Sequence, residues 1–202
     1  MVRKMLLATV VAALAACSQA EAPAAPAETP AAVPASAPTP AMAAYTALAT
    51  EEFAGGPPVT PAEVSTMVEA QGAQKTIAAL DAGGEKTRWT SVMAGIATGD
   101  AAWLALAPSL EPGTENSSYA DLNSALKAAM VVNPSGVLAI LDEANPDLGA
   151  ESICQAGGYE MDAAWYAGYY DALTPAVESV TDPALAKPRA ACLAILRARI
   201  AG

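Results

Sequence analysis

The chain has 202 residues, with 10 basic against 21 acidic side chains, no histidine, and a formal charge of −11 at pH 7. Without imidazole, Ser-His-Asp and Cys-His catalysis and every histidine-ligated metal site are excluded. The acidic excess argues against nucleic acid, and against docking of the folded part on anionic lipid headgroups.

Arg3 and Lys4 precede an apolar run from Met5 to Leu14. That run is too short to cross a bilayer as a helix, and it ends in small residues, the build of a secretory signal. The segment closes on Leu14-Ala15-Ala16-Cys17. This tetrapeptide resembles the lipobox of bacterial lipoproteins. The resemblance implies that residues 1–16 are a signal peptide and that the Cys17 thiol receives a diacylglyceryl group and becomes the new N-terminus. Two or more acyl chains give a stable anchor where one gives only reversible binding. Ser18 stands where that family often carries an inner-membrane-retaining Asp, so the expected address is the periplasmic face of the outer membrane. Loss of residues 1–16 removes Arg3 and Lys4 and no acid, so the mature chain carries −13.

Residues 17–58 hold the lipidated cysteine and a linker of Ala, Pro, Ser and Thr, with proline every three to four residues. Such spacing blocks helix and favours extended polyproline segments, reaching at most on the order of 120 Å from the bilayer at ~3.1 Å per residue. Gly55-Gly56-Pro57-Pro58 ends it.

Residues 59–202 are long enough for one domain with its own core. Their punctuation is helical. Thr60-Pro61-Ala62-Glu63 reads as a capping box with proline at the first helical position, opening a helix that carries Val64, Met67, Val68, Ile77 and Leu80 and stops at Gly83-Gly84. A second runs from about Lys86 to Ala97, with Trp89, Met93 and Ile96 on one face. Asp100 caps the next, with Trp103, Leu104 and Leu106. Ser118 to Asp121 opens another, with Leu122, Leu126 and Met130 in one stripe. Asn133-Pro134, Thr174-Pro175 and Asp182-Pro183 repeat the cap-then-proline start signal. The last helix carries Leu185, Cys192, Leu193, Leu196 and Ile200. Period-2 alternation is missing. The pattern predicts an all-α fold, a compact bundle of seven or eight helices of three to four turns. The run from Leu122 to Ala144 is similar to a HEAT-like hairpin, so a solenoid of helical hairpins is the alternative.

If Cys17 is lipidated, Cys154 and Cys192 remain as a pair in an oxidising compartment. Neither a Cys-x-x-Cys motif nor enough thiolates for a zinc site is present. A structural disulfide is expected, joining the C-terminal helix to the segment before Tyr159.

Candidate chemistry is sparse. Glu151-Ser152 resembles the Glu-Ser of lytic transglycosylases, all-α and often lipid-anchored, where the Glu is general acid on a glycan. The likeness covers some eight residues, without the Gly-Leu-Met-Gln run or the Asn and Tyr motifs of that family. Ser124-Ala125-Leu126-Lys127 matches the Ser-x-x-Lys of penicillin-recognising enzymes, but no Lys-Thr-Gly follows, and both residues are expected to face solvent on an amphipathic helix. The acidic run from Asp142 to Glu151 lacks the spacing of a calcium loop. No cofactor motif is present. Trp165, Tyr166, Tyr169 and Tyr170 crowd one predicted helix, Glu160 to Leu173, as two stripes about 100° apart, one suited to the core and the other to a partner. The expectation is a non-catalytic, lipid-anchored envelope protein whose helical domain binds a protein or the cell wall, an inhibitor or immunity protein being the sharper form. The alternative is a carboxylate-dependent peptidoglycan-cleaving enzyme using Glu151.

Overall fold

A computed structural model describes residues 51–156 and 163–200; side chains at 163–165, 199 and 200 are outside the description. Of the described part, 71% is helical and none is in a strand, so the fold is all-α. The described residues belong to one compact unit. The expected signal peptide, Cys17 and most of the expected linker lie outside the described residues.

In chain order the elements are α1 (Pro61–Gln71), α2 (Ala73–Leu80), α3 (Arg88–Ala97), α4 (Ala101–Leu104), α5 (Ala107–Leu110), a 3₁₀ turn (Glu111–Gly113), α6 (Ser117–Val132), α7 (Pro134–Ile140), α8 (Ala150–Ile153), α9 (Ala163–Glu178), a second 3₁₀ turn (Pro183–Leu185) and α10 (Ala186–Ile200). Several are single turns rather than the expected three to four.

Most start signals act as read. At α1 the Thr60 hydroxyl accepts from Glu63 N at 3.3 Å, and Thr60 N donates back to the Glu63 carboxylate at 2.8 Å. The Thr60 hydroxyl and amide hold that carboxyl below its usual range. Asp100 caps α4, Asn133 caps α7 and Asp182 caps the second 3₁₀ turn.

Three boundaries differ from expectation. The first helix breaks in two at Gly72, whose φ of +82° no helical residue adopts. Thr174-Pro175 starts no helix, because Pro175 lies inside α9. Residues 51–58, expected as the end of the linker, join the domain: Phe53 is buried in the core, and Lys86 Nζ donates to the Glu52 carbonyl at 2.9 Å.

Helix α6 is the centre. Leu122, Ala125, Leu126, Ala128, Ala129, Met130 and Val131 are all buried, so apolar residues cover most of its circumference, as in a helix enclosed by others. It packs on α3 on one side and on α7, α8 and α9 on the others; α10 packs on α9, α8 and α7. Alanines along α6 let these axes approach closely. Trp89, Met93 and Ile96 of α3 face it, as their spacing predicts.

The first 3₁₀ turn abuts the start of α2. A Cβ on Gly113 would lie 2.4 Å from Gln74 N and 2.5 Å from the Ala73 carbonyl carbon, both backbone atoms. Gly113→Ala must push these segments apart, at an expected cost of about 1–3 kcal/mol. Urea midpoints of the variant and parent provide the check; an unchanged midpoint would mean that the contact yields freely.

Candidate functional site

The aromatic helix exists and runs Ala163–Glu178, later than expected at its C-terminal end. Residues 160–162 and the Trp165 side chain lie outside the described part. Tyr169 is 2% exposed and belongs to the core. Tyr170 is half-buried, its ring edge-on to Tyr169 with centroids 5.5 Å apart. Its hydroxyl accepts from Ala156 N at 3.2 Å, so Tyr170 anchors the strand of chain after the disulfide. Tyr166 is half-buried. Of the four candidate aromatics, two therefore serve the fold directly, and Tyr166 keeps part of its surface exposed.

The disulfide forms as expected. Cys154 at the end of α8 and Cys192 in α10 are joined with Cα atoms 5.4 Å apart, and both residues are fully buried. The adjoining Glu151 is exposed in the first turn of α8. It edges an open depression of about 320 Å³ whose other lining residues, among those described, are Ala194, Ile195 and Ala198. None of these three can act as a second acid or base.

Ser152, the partner of Glu151 in the transglycosylase-like dipeptide, turns inward. Its hydroxyl accepts from Asn123 Nδ2 at 2.8 Å and lies 3.1 Å from the Tyr119 hydroxyl. Tyr119 and Asn123 are one turn apart on α6, so this node pins the single turn α8 to the central helix. Lys127 follows one turn later and is 5% exposed. Burial lowers its ammonium pKa from 10.5 to about 8. This corrects the expectation of a solvent-facing Lys127. Ser124 is half-buried, and among the described residues no hydrogen bond joins it to Lys127, so the Ser-x-x-Lys spacing assembles no nucleophile–base pair.

The acidic run from Asp142 to Glu151 spends its oxygens on its own backbone. Asp142 accepts from Ala144 N at 2.9 Å, Asn145 from Asp147 N at 2.9 Å, and Glu143 from Ala150 N at 3.2 Å. Asn145 also donates to Glu111 at 2.6 Å. Among the described residues no group of three His, Cys, Asp or Glu side chains is placed to hold a metal.

Two further features escaped the sequence. Trp89 Nε1 donates to the half-buried Asp121 carboxylate at 3.0 Å. Burial raises that carboxyl above the usual aspartate range, the indole bond pulls it back, and nearby Asp81 adds to the rise. An open depression of about 430 Å³ lies between α1 and α3, lined by Ala62, Thr66, Met67 and the Glu63–Arg88 ion pair at 3.4 Å. The Trp89–Asp121 pair is 32 residues apart and no local pattern announces it.

No protein-family model, curated protein or solved structure matches the chain.

Proposed function

We propose that this chain is a lipid-anchored protein of the bacterial cell envelope, and that its helical domain acts by binding a protein or the cell-wall polymer. The observation that carries this reading is the division of its three thiols. Cys154 and Cys192 are joined to each other, a bond that persists in oxidising compartments. Cys17 stands apart, at the end of a signal-like segment. Among the described residues no single helix is long and apolar enough to cross a membrane, so attachment would fall to the acyl chains at Cys17.

Binding is favoured over catalysis by what lies at the candidate groups. Among the described residues, Glu151 borders an open depression lined otherwise by Ala194, Ile195 and Ala198. The acidic charge suits a basic partner, such as a wall-degrading enzyme held in check, and Tyr166 supplies a ring that is part apolar and part wet.

The anchor is tested by growth with a palmitate analogue that can be tagged after lysis. The full chain should take up the label, and Cys17→Ala should lose it and move to the soluble fraction. Equal labelling of the two proteins would end the lipoprotein reading. The binding role is tested by crosslinking intact envelopes: one specific partner should be captured, and Tyr166→Ala should weaken its recovery. Capture of the same abundant bystanders with either protein counts against it, and release of soluble fragments from peptidoglycan by the pure protein would replace it with the Glu151 enzyme.

A further inference from the structure

We propose that Asn116 converts spontaneously to aspartate and isoaspartate through a succinimide closed on the Ser117 nitrogen, and that the folded backbone promotes this step. The argument starts from the turn at residues 115–118. Ser118 N donates to the Glu115 carbonyl at 3.1 Å, and Asn116 between them has φ +48° and ψ −108°. Those angles are those of the first central position of a type II′ turn, a place suited to glycine. Asn116 is the one non-glycine with positive φ among the described residues. An L side chain there is strained, and such strain persists only where neighbours over-determine it. They do so here. The Ser118 hydroxyl accepts from Glu115 N at 2.9 Å and donates to the Glu115 carbonyl at 2.9 Å. Gln74 Nε2 holds the Glu115 carboxylate at 2.9 Å.

The strained angle has a chemical meaning. In any L-residue the Cβ eclipses the next backbone nitrogen when ψ is about −120°. At −108° the Asn116 Cβ and the Ser117 nitrogen are nearly eclipsed. Four of the five ring atoms of a succinimide are thus already close to coplanar, and rotation about χ1 alone brings Cγ to the nitrogen. Helical and extended backbones hold the two atoms far from this arrangement.

Both reacting groups are also uncommitted. Ser117 opens α6, where the first amides have no carbonyl one turn back, and its N–H donates to no group among the described residues. Asn116 is exposed and its side chain does not cap the helix. The chain's other asparagines each commit Nδ2, Asn123 to Ser152, Asn133 to the Gly99 carbonyl and Asn145 to Glu111, and the last two precede prolines, whose nitrogens have no hydrogen to give up.

The chemistry balances with water alone. The Ser117 nitrogen gives its proton to solvent and bonds to Asn116 Cγ. The tetrahedral carbon expels the amide nitrogen, which leaves as ammonia with a proton from solvent. One water then opens the ring at either carbonyl. Opening at Cγ gives aspartate, and opening at the main-chain carbonyl gives isoaspartate with one extra methylene in the backbone. Either product places a carboxylate at the positive end of the 16-residue α6. The longer isoaspartyl backbone also releases the turn.

The test uses the full chain with its disulfide intact, aged at mildly alkaline pH and body temperature beside a sample held in urea. Peptide mapping by mass reads amide-to-acid conversion at each asparagine, and an isoaspartyl methyltransferase reads the rearranged product. Asn116 should convert at least about tenfold faster than Asn123, which is likewise followed by serine, a modest share of what a near-attack geometry can supply. It should also convert faster in the folded sample than in urea. Slower conversion when folded, or equal rates at Asn116 and Asn123, would overturn the proposal. Asn116→Gly, which suits the turn, should keep the native circular dichroism and lose the methyl-acceptor signal; an undiminished signal would overturn it as well.

Discussion

Replacing both Cys154 and Cys192 by alanine is expected to lower the unfolding free energy by about 3–4 kcal/mol at 25 °C. The bond closes a loop with a sequence separation of 38 residues. In the chain-entropy account its removal returns that loop's freedom to the unfolded chain. The loss is a large part of the 5–15 kcal/mol typical of a whole domain, and corresponds to a fall in Tm of roughly 10 °C or more. It should not be spread evenly. The single turn α8 is too short to persist alone, and without the bond it is held chiefly by Ser152 on Tyr119 and Asn123 and by its buried apolar residues. Hydrogen exchange should therefore rise first at residues 150–156 and along α10. Urea titration with and without reductant supplies the free energy, and the denaturant slope should steepen in the uncrosslinked chain, which unfolds to a more open state. A midpoint unmoved by reductant would mean that the two thiols do not bear on stability.

The all-α class was legible because cap chemistry is local. Thr60, Asp100, Asn133 and Asp182 each stand two or three residues from the amide they satisfy, so a reading along the chain finds them. The errors come from longer range. Gly72 costs an uninterrupted helix only about 1 kcal/mol relative to alanine, so sequence gives no strong reason to break it there. The break follows from where α2 must go to meet α5 and the 3₁₀ turn at Gly113. Pro175 has the start-signal form, yet Tyr169, Leu173 and Val177 continue one buried stripe through it, and packing carries α9 past the proline. The Thr174 hydroxyl is buried there with no partner among the described residues. Phe53 offered a usable sign that the domain starts early: it is the chain's only phenylalanine, and it stands just before Gly55-Gly56-Pro57-Pro58.

The candidate groups were less legible, because a dipeptide does not reveal which way its side chains turn. Glu151 and Ser152 are adjacent, yet the first is exposed and the second is bound to residues 29 and 33 positions away. Tyr169 and Tyr170 are likewise adjacent, one in the core and one holding Ala156. The helical period separates their stripes by about 100° but does not say which stripe is covered. That depends on α10 and on the segment after Cys154, and both are placed by the disulfide.

Lys127 is the position where a single substitution should stabilise most. Its side chain is 5% exposed on α6, among buried Ala128, Ala129, Met130 and Val131. The ion pairs of the described residues are Glu63–Arg88 and Glu178–Arg197, so no carboxylate offsets the buried ammonium. Burial lowers its pKa from 10.5 in the open chain to about 8 in the fold. The unfolded chain therefore binds more protons between those two values, and the unfolding free energy rises with pH across that window. Below pH 8 the penalty is fully present, at about 3 kcal/mol if one pKa unit is 1.36 kcal/mol. Lys127→Met keeps an unbranched side chain of similar length and removes the charge. It should raise stability by about 2–3 kcal/mol at neutral pH, near the full penalty since little packing is lost. The advantage should shrink as pH rises from 8 and vanish only above 10.5, where the parent lysine becomes neutral in both states. Urea midpoints of the two proteins at matched pH isolate this one group, because other titrations are common to both. A constant difference at every pH would show that the ammonium reaches water in the folded protein, and a variant less stable than the parent would show that the stem, not the charge, sets the worth of this position.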